Sequence, residues 1–185
     1  IDDVLRTAPE QTGKDVARAP RLTGRVTLHN VSFRYGDNLP FVVRDVSVDI
    51  RPGTTVAIVG RSGCGKSTLA RMIAGLYRPT EGRGTFDGHD LLRIELKSLR
   101  RQIGVVFQSP SLFAGSIRAA IALSDPAAPL DRIIEAARLA AVDEDIRAMP
   151  MGYDTILSDG GASIAGGQRQ RVALARALVH KPSLL

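Results

Sequence analysis

The stretch GRSGCGKST, Gly60 to Thr68, constrains this chain more than any other. It fits the pattern G-x-x-x-x-G-K-[ST] and stands between an apolar run, TVAIVG, and a segment with helical spacing, KSTLARMIAGL. Gly60, Gly63 and Gly65 let successive amides turn inward as an anion nest. A helix starting near Lys66 adds the positive end of its dipole. Lys66 offers an ammonium to outer phosphates and Ser67 a hydroxyl to a divalent cation, while Thr68 falls in the first turn, near the inner phosphates. Arg61, Ser62 and Cys64 complete the loop. These residue types point to a nucleoside triphosphate with Mg²⁺ and leave open what its binding drives. Cys64 reads simply as a small loop residue. Its place among the amides also makes it a candidate reactive thiol, favoured by the helix dipole.

The flanking sequence predicts strands and helices in a mixed order. TVAIVG suits a buried parallel strand, and IGVVF, Ile103 to Phe107, suits a second. Upstream, RVTLHNVSFRY and FVVRDVSVDI alternate, with Val31, Phe33 and Tyr35 on one face of the first and Val46, Val48 and Ile50 on one face of the second. Leu69, Met72, Ile73 and Leu76 recur at helical spacing. GTFDG reads as a short strand and turn, and IELKSLRRQ as a short helix. Beyond Phe107 the chain becomes Ala-rich and helical in IRAAIAL, LDRIIEAARLAAV and DEDIRAMP. Ile133, Ile134, Ala137 and Leu139 to Ala141 form the apolar side of the second piece. A last helix runs from about Gly166 to His180, Lys181-Pro182 stops it, and SLL opens another apolar run. Pro9, Gly13, Pro20 and Gly24 among charges make residues 1–24 read as a linker. IDDVL reads as the end of a helix that begins in a longer chain.

Composition narrows the function classes. The 185 residues suffice for one domain with a core. No apolar run approaches the ~18 residues of a membrane span. The net charge is +6, but the basic residues are scattered and aromatics make up 4%, which argues against stacking single-stranded nucleic acid. The single cysteine excludes an internal disulfide framework and fits a reducing compartment.

With GRSGCGKST, VVFQSPSLFAGSI and GGASIAGGQRQRVALARAL in this order, the chain resembles the nucleotide-binding domain of ABC transporters from about Gly24 to Leu185. The resemblance implies an α/β fold. Its P-loop NTPase (RecA-like) core carries an N-terminal antiparallel β subdomain and an α-helical insertion, and it is incomplete at the C-terminus. Residues 1–24 become a linker from a preceding membrane domain. Residues 25–108 become the β subdomain and phosphate-loop core, 109–181 the helical subdomain with its signature helix, and 182–185 the start of the Walker B strand. LFAGSI, Leu112 to Ile117, is similar to the exporter type, and MPMGYDTILSDGG is similar to exporters of bacteriocins and other small peptides. The implied activity is ATP hydrolysis coupled to export, with ATP and Mg²⁺ as cofactors, at the cytoplasmic face of a membrane. A soluble non-transport ABC ATPase and a nucleotide-binding switch with little hydrolysis are the other readings. LFAGSI and the linker-like start favour the exporter.

The resemblance also assigns residues. Tyr35 matches the aromatic that stacks on adenine, its alternative being a core aromatic beside Phe33. Gln108 matches the glutamine that ligates Mg²⁺ together with Ser67 and reports nucleotide state to the helical part. Leu112 and Phe113 are buried or, if exposed, suit docking of a membrane-domain helix. Asp159 stands where exporters usually carry Glu. Ile164, Ala165, Gly166, Gly167 and Gln168 match the signature that faces ATP held by a second nucleotide-binding domain, in a head-to-tail pair. Ala165 replaces the usual serine and removes a hydroxyl that would donate to phosphate, and Ser163 is displaced by two positions. Arg169 and Arg171 point different ways on a helix, with Arg171 read as a solvated residue. The family's Walker B Asp, catalytic Glu and switch His lie beyond HKPSLL, and His29, His89 and His180 match none of them. The implication is that these 185 residues hold no catalytic residue. They bind ATP weakly without useful hydrolysis, and their open sheet edges favour aggregation.

Overall fold

The computed structural model describes residues 10–11 and 16–185. The reading of IDDVL as a helix end, and the residues Pro9 and Gly13, lie outside these. The chain forms two compact units, one ending at Arg100 and one running from Arg101 to Leu185.

The first unit is built on a four-stranded sheet ordered β2-β1-β3-β4. Its strands are β1 (Val26–Phe33), β2 (Val43–Ile50), β3 (Glu81–Phe86) and β4 (His89–Asp90), and every pairing is antiparallel. The pairing of β1 with β2 is broken twice, the second time between Val31 and Phe33. Its register first shifts between Leu28 and Val31, where Asn30 is left-handed with φ 46°. The Asn30 N–H donates to Ser47 Oγ (2.9 Å) and its side-chain amide donates to Asp45 Oδ1 (2.7 Å). This bulge moves the buried set from Val26 and Leu28 to Val31 and Phe33, a change of parity that period-two reading cannot anticipate. β3 passes so close that a Cβ on Gly82 would lie 2.3 Å from the Asn30 carbonyl oxygen. Helix α1 (Lys66–Ile73) buries Met72 against Leu28, Val31, Phe33 and Val43, with Leu69 and Ile73 alongside.

Residues 17–23, expected as connecting chain, are fastened to this unit. Ala17 donates to the Arg93 carbonyl (2.9 Å) and accepts from Glu95 N (2.8 Å). Ala19 N donates to Ser98 Oγ (2.8 Å), just within helix α2 (Leu96–Arg100), and Thr23 Oγ1 donates to Asp87 Oδ1 (2.8 Å).

The two expected parallel strands do not form as such. Residues 55–60 make no strand ladder among the described residues, and Val56 and Val59 are 50% and 87% exposed. At IGVVF only Ile103 pairs, in an isolated parallel bridge to Leu184, while Val106 and Phe107 stay exposed. An apolar run becomes a buried strand only when neighbours cover its edges and faces.

The second unit is helical, with α3 (Ile117–Ile121), α4 (Leu130–Leu139), α5 (Asp143–Arg147) and α6 (Gly166–Leu178). A short antiparallel pair, β5 (Gly115–Ser116) and β6 (Ile156–Leu157), accompanies them. Its core joins Ile117, Ile121, Ile133, Ile146 and Val172 to the alanines of α4 and α6. On α4 the buried stripe is Ile133, Ala136, Ala137 and Ala140. Leu139, expected on that face, is 68% exposed, and Ala141 ends the helix in a left-handed conformation. The 100° step per residue puts positions 133, 136, 137 and 140 on one line and rotates 139 out of it.

Candidate functional site

The predicted residues fall into two groups, one in each unit. In the first unit, residues 60–65 run irregularly into α1, and Gly65 at φ 91° occupies the N-cap. A Cβ there would lie 2.6 Å from the Val42 carbonyl oxygen, so only glycine fits between this loop and the start of β2. No side chain caps α1 and no acidic residue stands in its first turn, which leaves the opening N–H groups and the dipole to an anion. Arg61, Ser62, Gly63, Cys64 and Ser67 are exposed. Lys66 folds over the loop, its Nζ donating to the carbonyls of Gly60 (2.9 Å) and Arg61 (2.6 Å), and it lies 3.8 Å from Cys64 Sγ.

Tyr35 joins this group. Its hydroxyl lies 2.8 Å from the Oγ1 of Thr68, a buried residue of α1. Its ring meets Phe33 and Tyr77 edge-on at 5.0 and 5.8 Å, while Phe33 and Tyr77 stack on each other. The Tyr35 ring remains 52% exposed, so one side chain serves both as core aromatic and as open platform. Tyr77 was missed in the sequence because its contact with Tyr35 is made across the fold.

The second group surrounds an open cleft of about 460 Å³ whose lining includes Gln108, Ser111, Gly166, Gly167, Arg169 and Gln170. The Gln108 carbonyl accepts from Gln170 Nε2 (3.5 Å) and the Ser111 carbonyl from Arg176 Nη1 (3.1 Å), so α6 holds the loop that carries Gln108. Arg176 carries that contact in partial burial, and desolvation draws its pKa down. Leu112 is fully buried, whereas Phe113 is 63% exposed, so the two residues divide the roles expected of both. Asp159 opens a turn in which its Oδ1 accepts from Gly160 N (3.0 Å). Ser163 and Ser158 bond reciprocally, each backbone N–H to the other's hydroxyl.

Ala165 is the N-cap of α6 and makes no side-chain cap. Its N–H donates to Gln168 Oε1 (3.2 Å), and Gln168 Nε2 donates to Asp145 Oδ1 (3.3 Å). Ile164 packs partly buried against the helical core, while Gly166 and Gly167 are exposed. Arg169 reaches back to the Gly161 carbonyl (3.4 Å). Arg171 is not the solvated residue expected: its guanidinium pairs with Asp145 Oδ2 at 2.5 Å and holds that carboxyl below its ordinary range. No local signal could have found Asp145, because the tertiary fold brings α5 to it from far along the sequence.

Among the described residues no cluster of three or more His, Cys, Asp or Glu could hold a metal ion, and no helix is long and apolar enough to cross a membrane.

Comparison with known proteins finds relatives over the whole chain. The chain is 46% identical over all its 185 residues to the cyclolysin secretion/processing ATP-binding protein CyaB of Bordetella pertussis. It is 44% identical, again over its whole length, to the toxin RTX-I translocation ATP-binding protein of Actinobacillus pleuropneumoniae and to the leukotoxin translocation ATP-binding protein LktB of Mannheimia haemolytica. It spans 26% of the length of each. A bacterial Atm1-family ABC exporter solved with ATP bound superposes with a TM-score of 0.81 at 38% identity, over 92% of this chain and 31% of that one. The bacteriocin group is not represented among these relatives. The family profile described as ABC transporter matches residues 43–185, and with the phosphate loop and signature in place, the chain belongs to the ABC transporter family.

Proposed function

We propose that the chain is the ATP-binding motor part of an exporter, which couples ATP binding and hydrolysis to the movement of a polypeptide across a membrane from its cytoplasmic face. The observation that carries this reading is the uncapped start of α1 behind Gly65, with Lys66 lying over the loop. Arriving phosphates take the amides of residues 60–68, and Lys66 exchanges the Gly60 and Arg61 carbonyls for phosphate oxygens. Tyr35 offers its open ring face to the base. Ser67 and Gln108, each in its own unit, would offer oxygen donors suited to Mg²⁺. A bound cation would offset the charge of the phosphates. The signature residues Ile164, Ala165, Gly166, Gly167 and Gln168 form the turn that faces ATP on a second nucleotide-binding domain, head to tail. Exposed Phe113 suits contact with a membrane domain. The polypeptide cargo follows the relatives, whose names refer to toxin secretion and translocation.

Equilibrium titration with ATP and Mg²⁺ tests this. Saturable binding that Lys66→Ala weakens at least tenfold is expected. Equal affinity of the two proteins, or no binding by either, would overturn the reading.

A further inference from the structure

The furthest-reaching feature is Asp145. The first turn of a helix needs acceptors for its open N–H groups, and a hydroxyl at the N-cap is the usual source. Ala165 has none. Among the described residues the side chain that serves this N-terminus is Gln168, whose Oε1 accepts from Ala165 N at 3.2 Å, half of a reciprocal cap. A glutamine with free rotamers keeps such a bond poorly. Here Nε2, the other end of the same amide, is held by Asp145 Oδ1 (3.3 Å), and Asp145 is itself fixed by Arg171 through its second oxygen (2.5 Å). Both amide ends are thus occupied, and the amide orientation is set by the carboxylate, which can only accept.

We propose that Asp145 is a positioning residue for the signature: through Gln168 it orders the α6 N-terminus in place of the missing serine hydroxyl. The inference rests on the reading of Gly166 and Gly167 as a phosphate-facing turn. Asp145 acts from α5, outside the motif. Gln168, so held, is engaged within its own chain, and the Gly166 and Gly167 amides are left as the donors facing phosphate.

Amide hydrogen exchange on the full chain, without nucleotide, tests the latch. Asp145→Ala is expected to speed exchange of the Ala165 amide by roughly three- to tenfold, the loss of one hydrogen bond. Arg171→Met leaves the accepting carboxylate in place and is expected to stay nearer the wild-type rate, whereas Asp145→Asn, whose amide also donates, no longer sets the Gln168 amide and is expected to exchange faster. Ala165→Ser introduced into the Asp145→Ala chain is expected to slow exchange at residues 167 and 168, whose N–H groups an N-cap hydroxyl accepts, while the amide of position 165 itself stays fast. Unchanged Ala165 exchange in Asp145→Ala would overturn the proposal. ATP titration of the same proteins is a separate readout. Failure of the wild type to bind sinks the functional reading, while the exchange rates still decide the latch.

Discussion

The hydroxyl of Tyr35 lies 2.8 Å from Thr68 Oγ1, so the loop after β1 is tied directly to the helix that opens behind the phosphate loop. The bond fixes an exposed aromatic platform relative to the anion nest, as recognition of base and phosphates by one molecule requires.

Two substitutions separate the ring from its hydroxyl. Tyr35→Phe keeps the platform and loses one hydrogen bond, at about 0.5–1.5 kcal/mol. Tyr35→Ala removes the stacking surface, at about 1–3 kcal/mol of ATP affinity. Titration with a fluorescent ATP analogue should therefore rank wild type, Phe and Ala in that order. Equal affinity of the Phe and Ala variants would refute the stacking role.

Ala165→Ser restores both a helix cap, about 0.5–2 kcal/mol, and a hydroxyl for phosphate, about 1.5–3 kcal/mol when charge-assisted. In the intact transporter the expected outcome is a higher ATPase rate. An unchanged or lower rate would show that the hydroxyl has no role at this site.

Cys64 is exposed within the loop, and the Lys66 ammonium lies 3.8 Å from its sulfur. A thiol-specific reagent should label it, and saturating ATP should protect it, read out by mass spectrometry. Equal labelling with and without ATP would rule out phosphate binding over this thiol.

Asp143 is expected to contribute to the acid sensitivity of the helical unit. Burial pushes its carboxyl up, but hydrogen bonds from Arg147 (2.8 Å), Tyr153 (2.7 Å) and Arg138 (3.1 Å) outweigh that and hold it below the ordinary 3.8. A depressed folded-state pKa gives stability that is present above the unfolded value and is lost as pH falls through the folded one. Asp143→Asn should cost roughly 1–3 kcal/mol at neutral pH and progressively less as the pH falls below the ordinary carboxylate range. Urea unfolding across a falling pH series measures this, and a cost that does not shrink would contradict it.

Much of the site was legible because it is local in sequence. Gly60, Gly63, Gly65, Lys66 and Ser67 work through spacing within one loop and one helical turn, and the motif specifies that geometry directly. The same holds for Gly166 to Gln168 at the start of α6. Helices with strong periodicity were legible too, down to Met72 and Ile133. Tyr77, Asp145 and the Gln170 and Arg176 contacts to the Gln108 loop were not, since each depends on which elements the fold brings side by side. Asp145 reaches the signature from α5, and nothing near Gln168 in sequence announces it.

The sequence by itself determined the glycine-rich loop ahead of α1, the two glycines that open α6 with no hydroxyl at 165, and where the periodic helices run. These follow from backbone freedom, helix dipoles and apolar periodicity, which act over a few residues. Only the tertiary structure decided that the β1 bulge at Asn30 changes which residues are buried. It alone decided that residues 55–60 and most of IGVVF stay unladdered, that Leu112 turns inward while Phe113 does not, and that Asp145 takes both Arg171 and Gln168. Pairing, burial and ion-pair choice are properties of neighbours, and neighbours are set by the whole fold.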